Sequence, residues 1–480
     1  MFSIYNTLTK SKQEFVPLNP GKVGMYTCGP TVYDYLHIGN IRAYLTADIL
    51  RRYLEYSGYQ VRMIKNVTDV GHLTDDDVAQ GDSGEDKIER KALAEKKTPT
   101  EIAEFYEKYF KQAEKKMNIL PAHYFPRATA HVPQMIKMIE TLIAKGFAYE
   151  KNGNVFYDVT KFPEYGKLSG NTLENLKVGA RLEEHPDKKN PWDFALWLKA
   201  PENHLLKWQS PWSIGYPGWH IECSAMSMEY LGNTLDIHTG AEDGIFPHHE
   251  AEIAQSEGCS GQTYSRYWVH LRYLQVDGKK MSKSKGNFYK LEDVKERGFS
   301  AMDLRLFFLS AHYRTPVNFT WDALTQAHKN LQRINDFVLN LEAISSRSSI
   351  SLAAGFDMRK LDEFRDKFES AMDDDMNTPL ALSELYEFIT EFNKSVDSNG
   401  IGPDEAKSIL ALWNRTNKVF GFELKGQAEI PEEIMRLIKQ REDARKGKDF
   451  SKSDELRALI EKKGYVVKDT KDGQEVKPAD

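Results

Sequence analysis

An apolar run from Val23 to Cys28 leads through a loop containing Gly, Pro and Asp, which ends at Gly39. Beyond it, Ile41, Tyr44, Leu45, Ile49, Leu50, Tyr53 and Leu54 recur at spacings of three, four and one, and Gly58 stands where a helix cap belongs. That spacing predicts an amphipathic helix. A β-branched run, Val61 to Val67, comes next. Strand, loop, helix, strand is half of a doubly wound parallel sheet, in which ligands sit where strands end and the helix begins.

Residues 125–208 read as an insertion: a helix ends at Lys145-Gly146, and Phe147 to Val159 is divided by Asn152-Gly153 as a hairpin turn would divide it. Helical spacing resumes over Pro247 to Gly258, with proline at the start and glycine at the end. After residue 325 long amphipathic segments, such as Leu331, Ile334, Val338, Leu341, predict a helical bundle with a Ser/Gly/Ala linker around residues 345–355. Past Lys425-Gly426, two short helices and a hairpin turning at Asp472-Gly473 make a small last domain. The expected fold class is α/β: a doubly wound parallel, Rossmann-type domain with an inserted connective module, then an α-helical bundle and a small C-terminal α/β domain. The boundaries read as 1–124 and 209–260 for the two halves of the sheet domain and 125–208 for the insertion. The lysine-rich region follows at 261–325, the bundle at 326–424 and the terminal domain at 425–480.

Length and composition narrow the setting. A chain of 480 residues exceeds one core, and 40% hydrophobic with 28% charged residues excludes global disorder. Three distant cysteines, Cys28, Cys223 and Cys259, suit a reducing compartment or a metal site rather than a disulfide framework. The start has no basic segment leading into an apolar stretch and no run is long enough to span a membrane, so the expectation is a cytoplasmic protein. With 65 basic against 71 acidic residues, a nucleic-acid partner must meet a local basic surface such as Lys446, Lys448 and Lys452.

The loop Pro30 to Asn40 contains Thr31, His37, Gly39 and Asn40 at a helix start, where unpaired amides and the helix dipole favour phosphate. Gly39, without a side chain, lets a flat purine lie on the backbone. A polar loop with a helix cap accounts for the same residues. Far along the chain, Gly278 to Asn287 carries Lys280 and Lys283 and reads as a mobile lysine loop. Two ammonium groups there can stabilise charge building on a departing pyrophosphate, and a solvated loop is the plainer reading. Cys28, Cys223 and the Phe246-Pro247-His248-His249-Glu250-Ala251-Glu252 segment offer two sulfurs, an imidazole and a carboxylate from three places, with His248 and Glu252 on one helical face. Buried thiols and a capping histidine fit the composition equally. His249-Glu250 is not half of an HExxH protease helix, because the residue four beyond His249 is Ile253. His220, His249 and Glu250 remain as partners of the ligands, or one of them replaces His248. Cys259 belongs to no constellation and reads as a structural thiol.

The paired loops, HIGN at the start of a helix and KMSKS far downstream, resemble the signature pair of class I aminoacyl-tRNA synthetases. Within that class, TCGPTVYDYLHIGN, DFALW with SPWSIGYPGWHIECSAM, FPHHEAEIAQSE, KKMSKSKGN and DDDMNTPLAL resemble the cysteinyl-tRNA synthetases, in family order from about residue 2 to the C-terminus. The resemblance implies Zn2+ on Cys28, Cys223, His248 and Glu252, and ATP with Mg2+ as substrate. It implies phosphate stabilisation by His37, Asn40, Lys280 and Lys283. It also implies a nucleotide site including Thr31, Gly39, Asp243 and Lys283, and a cysteine pocket with Trp219 and Thr68. Glu242 is the rival to Asp243. Each could equally be core in the case of Trp219 and Thr68. Implied partners are L-cysteine, ATP and tRNA(Cys), the chain is expected to be a monomer, and no membrane is implied. A ligase joining activated cysteine to an amino sugar is the near alternative, since its catalytic half would look alike.

Zinc has a physical reason to be there: serine and cysteine differ by one atom at nearly one shape, and a borderline-soft ion with an open position favours sulfur. Three departures stand out. Asn40 replaces the usual second histidine, so it can donate a hydrogen bond but not carry a proton. An acidic stretch follows Val70 before Asp86-Lys87-Ile88, and Met376 replaces an aromatic, a change the bundle is expected to tolerate.

Overall fold

A computed structural model describes residues 1–70, 73–75, 83–172, 174, 186–281, 286–347, 356–398, 400–424, 431–470 and 473–478. Lys22–Thr27, Gln60–Lys65, Leu235–Ala241 and Ser265–Leu271 form one sheet in which every pairing is parallel. Its spatial order places the third of these strands beside the first, with the second and fourth at the edges. The chain therefore reverses its winding direction between Lys22–Thr27 and Leu235–Ala241. A crevice opens at such a switch point beyond the strand ends, which is where ligands bind in sheets of this kind.

The Ile38–Tyr56 helix makes the first crossover and buries Ile41, Leu45, Ile49, Leu50, Tyr53 and Leu54, the positions its spacing predicts. Ser57 caps it and Gly58 follows with φ +92°, a conformation that side chains with a Cβ resist. The second strand ends at Lys65, earlier than the β-branched run suggests, and Val67 instead bridges to Arg127.

The inserted module is an antiparallel sheet ordered Trp208–Gln209, Ile214–Pro217, Phe194–Lys199, Asn154–Tyr157, Ala148–Lys151, with the Asn152-Gly153 turn between the last two. Two sequence boundaries move. The module's sheet runs past residue 208 to Pro217, because Gly215, Tyr216 and Pro217 pair with Lys199, Leu198 and Trp197. The parallel sheet runs past residue 260, because Ser265–Leu271 is its edge strand. Neither shift has a local composition signal, since strand partners are set by tertiary pairing.

Lys279–Lys280 is also corrected from loop to strand: it pairs antiparallel with Leu274–Val276, which lies parallel to Val317–Phe319. Lys283 lies outside the described residues. Four helices, Trp321–Ser345, Arg359–Asp373, Thr378–Asp397 and Pro403–Phe420, make the bundle. Ile334, Val338 and Leu341 are buried in it, and so is Met376, which fills an apolar position as expected. Most of the linker expected around 345–355 lies outside the described residues. Glu432–Lys446 and Phe450–Lys462 pack with the hairpin Tyr465–Thr470 and Gly473–Pro478 over a small core of Ile434, Ile460 and Val467. The expected turn residue Asp472 is outside the described residues. Among the described residues, no helix is long and apolar enough to cross a membrane.

Candidate active site and metal centre

A cleft of about 560 Å³ opens at the switch point, lined by Cys28, His37, Asn40, Trp219, Asp243 and His248 among others. Its floor comes from the ends of the two central strands, tied by the Thr27 and Thr239 hydroxyls at 2.8 Å. Thr31 and Thr68 line it too and pair with each other just past the strand ends.

Cys28, Cys223, His248 and Glu252 bring one ligand atom each to within 4.8 Å of one another. Cys28 follows the first strand, Cys223 lies on the Trp219–Leu231 helix, and Glu252 is in the first turn of the Glu250–Ser260 helix. The helix expected over Pro247 to Gly258 is displaced: it begins at Glu250 and ends at Ser260, with Gly261 as its left-handed cap. Phe246, directly before Pro247, is extended at φ −137°, ψ 132°, and Ile245–His249 forms a wide turn. The ring of a proline pushes the preceding residue out of the helical region, so the helix cannot extend back through Phe246. His248 still reaches Glu252, Nε2 to Oε1 at 3.1 Å.

These groups perturb one another. The two sulfurs are 3.9 Å apart, and their contact holds the Cys223 thiol down, to about 6, while pushing Cys28 up. Burial works against both Glu252 and His248 ionising, yet the nearby imidazoles keep the Glu252 carboxyl low, and the charge of Cys223 and Glu252 carries His248 up. The Cys223 sulfur and the Glu252 carboxylate put negative charge in a buried pocket that a cation resolves, and sulfur, nitrogen and oxygen donors in this number suit tetrahedral zinc. The donor set fits the ion.

A second set, Cys28, His238, His249 and Glu252, is equally compact and shares two members with the first. His238 Nε2 lies 2.9 Å from Glu252 Oε2, which the Tyr264 hydroxyl also reaches at 3.0 Å. His249 Nε2 is 3.5 Å from Cys28, and its Nδ1 is 2.8 Å from His270 Nε2, which leads on to Thr7. A Cβ at Gly240 or Gly244 would come within 2.4 or 2.7 Å of the His249 ring, so both glycines make its seat. His220 Nδ1 meets His248 Nδ1 at 2.8 Å, and Trp219 stacks on the His248 ring with centroids 4.4 Å apart. Glu250 does not face this centre; it accepts from the backbone of Leu168 and Ser169. His238, His270 and Tyr264 were not singled out by sequence. Their signal is an imidazole at a fully sheet-buried position in each of two neighbouring strands, easily read as a core histidine. Cys259 stands apart, its thiol raised by burial.

At the other end of the cleft His37 caps the Ile38–Tyr56 helix. Its Nδ1 accepts from the Asn40 N–H at 3.1 Å, and the Asn40 side-chain oxygen accepts from the His37 N–H at 3.2 Å. The expected cap is present, and it is compatible with the phosphate reading. A neutral imidazole accepting at Nδ1 carries its proton on Nε2, and an amide accepting at Oδ1 has its NH2 left to donate, so both are set as donors. The two signature segments also meet: Ile38 donates to the Tyr289 carbonyl, Phe288 sits edge-on to His37, and a Cβ on Gly39 would lie 2.9 Å from the His37 ring and 3.2 Å from Met281. Gly39 is thus a point of close approach between loops. Asp243 lines the cleft, whereas its rival Glu242 is used elsewhere, accepting from the Tyr273 N–H at 2.6 Å and pairing with Arg272 at 3.0 Å.

The chain matches three family models in succession: tRNA synthetases class I (C) catalytic domain over residues 14–329, DALR domain over 367–425, and Cysteinyl-tRNA ligase anticodon binding domain over 427–476. It is 44% identical to the cysteine–tRNA ligase of Clostridioides difficile, with 98% of each chain covered. It is 42% identical to that of Thermus thermophilus and 41% to that of Chlorobium chlorochromatii, again with 98% of each covered. In three dimensions it is similar to Mycobacterium tuberculosis methionyl-tRNA synthetase in complex with methionyl-adenylate, with TM-score 0.58, 14% identity, and 83% and 89% of the two chains covered.

Proposed function

This chain belongs to the cysteine–tRNA ligase family of class I aminoacyl-tRNA synthetases, and from that footing we propose how its residues divide the work. The family assignment covers the anticodon module as well as the catalytic half, so the amino-sugar ligase alternative has no support. The observation that carries the mechanism is that the Cys28, Cys223, His248 and Glu252 cluster and the His37–Asn40 cap open into one cleft.

Cys28, Cys223, His248 and Glu252 hold zinc. When bound, the ion supplies a borderline-soft Lewis acid that prefers the thiol of cysteine to the hydroxyl of serine. His220 orients His248 through its Nδ1, and Trp219, stacked on the same ring, shapes the pocket wall. Thr68, whose hydroxyl accepts from Asn66 at 3.1 Å, faces the amino-acid end. Asp243 accepts from the ATP ribose hydroxyls and Thr31 borders the nucleotide, both lining the cleft, while Gly39 lets His37 and Met281 close on the same loop.

The substrate carboxylate attacks the α-phosphorus of ATP, the bond to the bridging oxygen breaks, and pyrophosphate leaves. His37 Nε2–H and the Asn40 amide donate to the phosphates, and Lys280 and Lys283 neutralise the charge that grows on the leaving group. No proton need move at Asn40, which is why an amide serves in place of a second imidazole. The terminal ribose hydroxyl of tRNA(Cys) then attacks the activated carbonyl and AMP departs. Positioning and fixed charge provide the acceleration, without a protein nucleophile. The bundle and terminal domain grip the tRNA, aided by Lys446, Lys448 and Lys452, and the protein works as a cytoplasmic monomer.

Cysteine-dependent exchange of pyrophosphate into ATP tests the first step, and charging of a tRNA(Cys) transcript tests the second. Exchange with cysteine but not serine is the expected result; no exchange from zinc-loaded protein contradicts the reading.

A further inference from the structure

We propose that Tyr35, Phe105 and Lys290 form a stacking platform at the mouth of the cleft that receives the unpaired 3′ nucleotides of tRNA. The inference rests on the function proposed above and adds a site to it. Tyr35 lies on the loop before His37 and lines the cleft, yet 37% of it is exposed, against burial of the other large apolar side chains nearby, Val32 and Leu36. It meets an aromatic group on the Pro99–Lys116 helix: Phe105 at 6.3 Å, Tyr106 at 5.2 Å and Tyr109 at 4.8 Å between ring centroids, all close to perpendicular. Phe105 is 46% exposed. Exposed aromatic rings at neighbouring positions are costly in water and suit bases, whose flat faces stack on them without sequence preference.

One ammonium group beside the rings is placed to meet a phosphate. The Lys290 ammonium lies 4.7 Å from the Tyr35 ring centroid, and among the described residues no carboxylate pairs with it. Lys97 lies 5.4 Å from the Phe105 centroid. The carboxylates around the rings have partners of their own: Asp34 accepts from the Tyr35 backbone N–H and Asp293 from that of Lys290, Glu95 meets Lys91, Lys97 and the Tyr106 hydroxyl, Glu292 the Tyr109 hydroxyl and Lys116, and Glu101 the Thr98 cap. Position selects the occupant. Tyr35 is two residues from the phosphate-binding His37, and Lys290 follows the segment that packs on His37 and Ile38, so the platform is continuous with the nucleotide end of the cleft. The strand end whose ribose must enter that cleft is single-stranded, polyanionic and able to stack.

Phe105→Ala and Lys290→Ala, both at partly exposed positions, test this. Cysteine-dependent pyrophosphate exchange should stay within about two-fold of the unaltered protein, while kcat/KM for charging tRNA falls roughly ten-fold, as loss of one base-stacking contact implies. Affinity for a tRNA transcript ending at the acceptor duplex should not change, and Phe105→Tyr should restore charging. Normal exchange with undiminished charging overturns the platform alone, and so does an equal loss of affinity for the shortened transcript, which would assign these residues to the duplex. Absence of exchange in the unaltered protein overturns instead the reading on which the platform rests.

Discussion

Gly39 shows how much one missing side chain can carry. Alanine there would press on the His37 ring and on Met281 at once, moving the donor that should meet the phosphates. Gly39→Ala is expected to lower pyrophosphate exchange by roughly 100-fold, the scale of an ångström-sized misplacement, with an unchanged unfolding midpoint. Full exchange in a folded variant would show that the two loops need not touch. The metal centre offers a sharper residue-level test, because two donor sets share Cys28 and Glu252. His248→Ala should lose zinc, measured as metal per chain by atomic emission, whereas His249→Ala should keep close to one ion; the reverse pattern assigns the ion to the second set. Residue types offered Cys28, Cys223, His248 and Glu252 as a metal set beside an equal reading as buried thiols and a capping histidine, and the family resemblance chose between them; the fold brings one donor atom of each within 4.8 Å of the others. His238 and His270 were hidden, since strand alternation gives a buried imidazole the same signature as any core position.

Elements meet at one buried ionic knot. Asp48 on the Ile38–Tyr56 helix accepts from Arg52 at 2.8 Å and from Arg305 of the Ala301–Leu309 helix at 2.9 Å. Arg305 also donates to the carbonyls of Phe420 and Met117, and Arg52 to those of Lys418 and Asn118, so the crossover helix is locked to the end of the bundle. Burial lowers the Arg305 guanidinium to about 10, so it stays charged at neutral pH. Asp48→Ala removes the carboxylate that, among the described residues, binds both arginines and should cost about 3–5 kcal/mol, the usual penalty for stranding a buried charge. Denaturant unfolding checks it; a loss under about 1 kcal/mol would mean that the carbonyls suffice. Helix positions were legible from periodicity, as Ile334, Val338 and Leu341 illustrate. This knot was not, because its partners are separated by 257 residues and no local pattern announces a pairing across the fold.

At the scale of the whole molecule, the order of modules was readable while their edges were not. Ile214–Pro217 belongs to the inserted sheet and Ser265–Leu271 to the parallel one, although both lie beyond where composition changes. Doubly wound topology matters most here, since it brings Cys28 and the Asp243 turn to the same strand-end crevice from positions more than 200 residues apart. On the function proposed here, one cleft has two chemistries, with sulfur recognition at its floor and phosphate chemistry at the first helix. The two ends should be separable. Stripping the ion with a chelator is expected to abolish cysteine binding by calorimetry, and leaving the His37 end intact, to change ATP affinity by less than about three-fold. Restoring Zn2+ should return cysteine binding with one ion per chain and no comparable affinity for serine. Undiminished cysteine binding by metal-free protein would contradict the account at its centre.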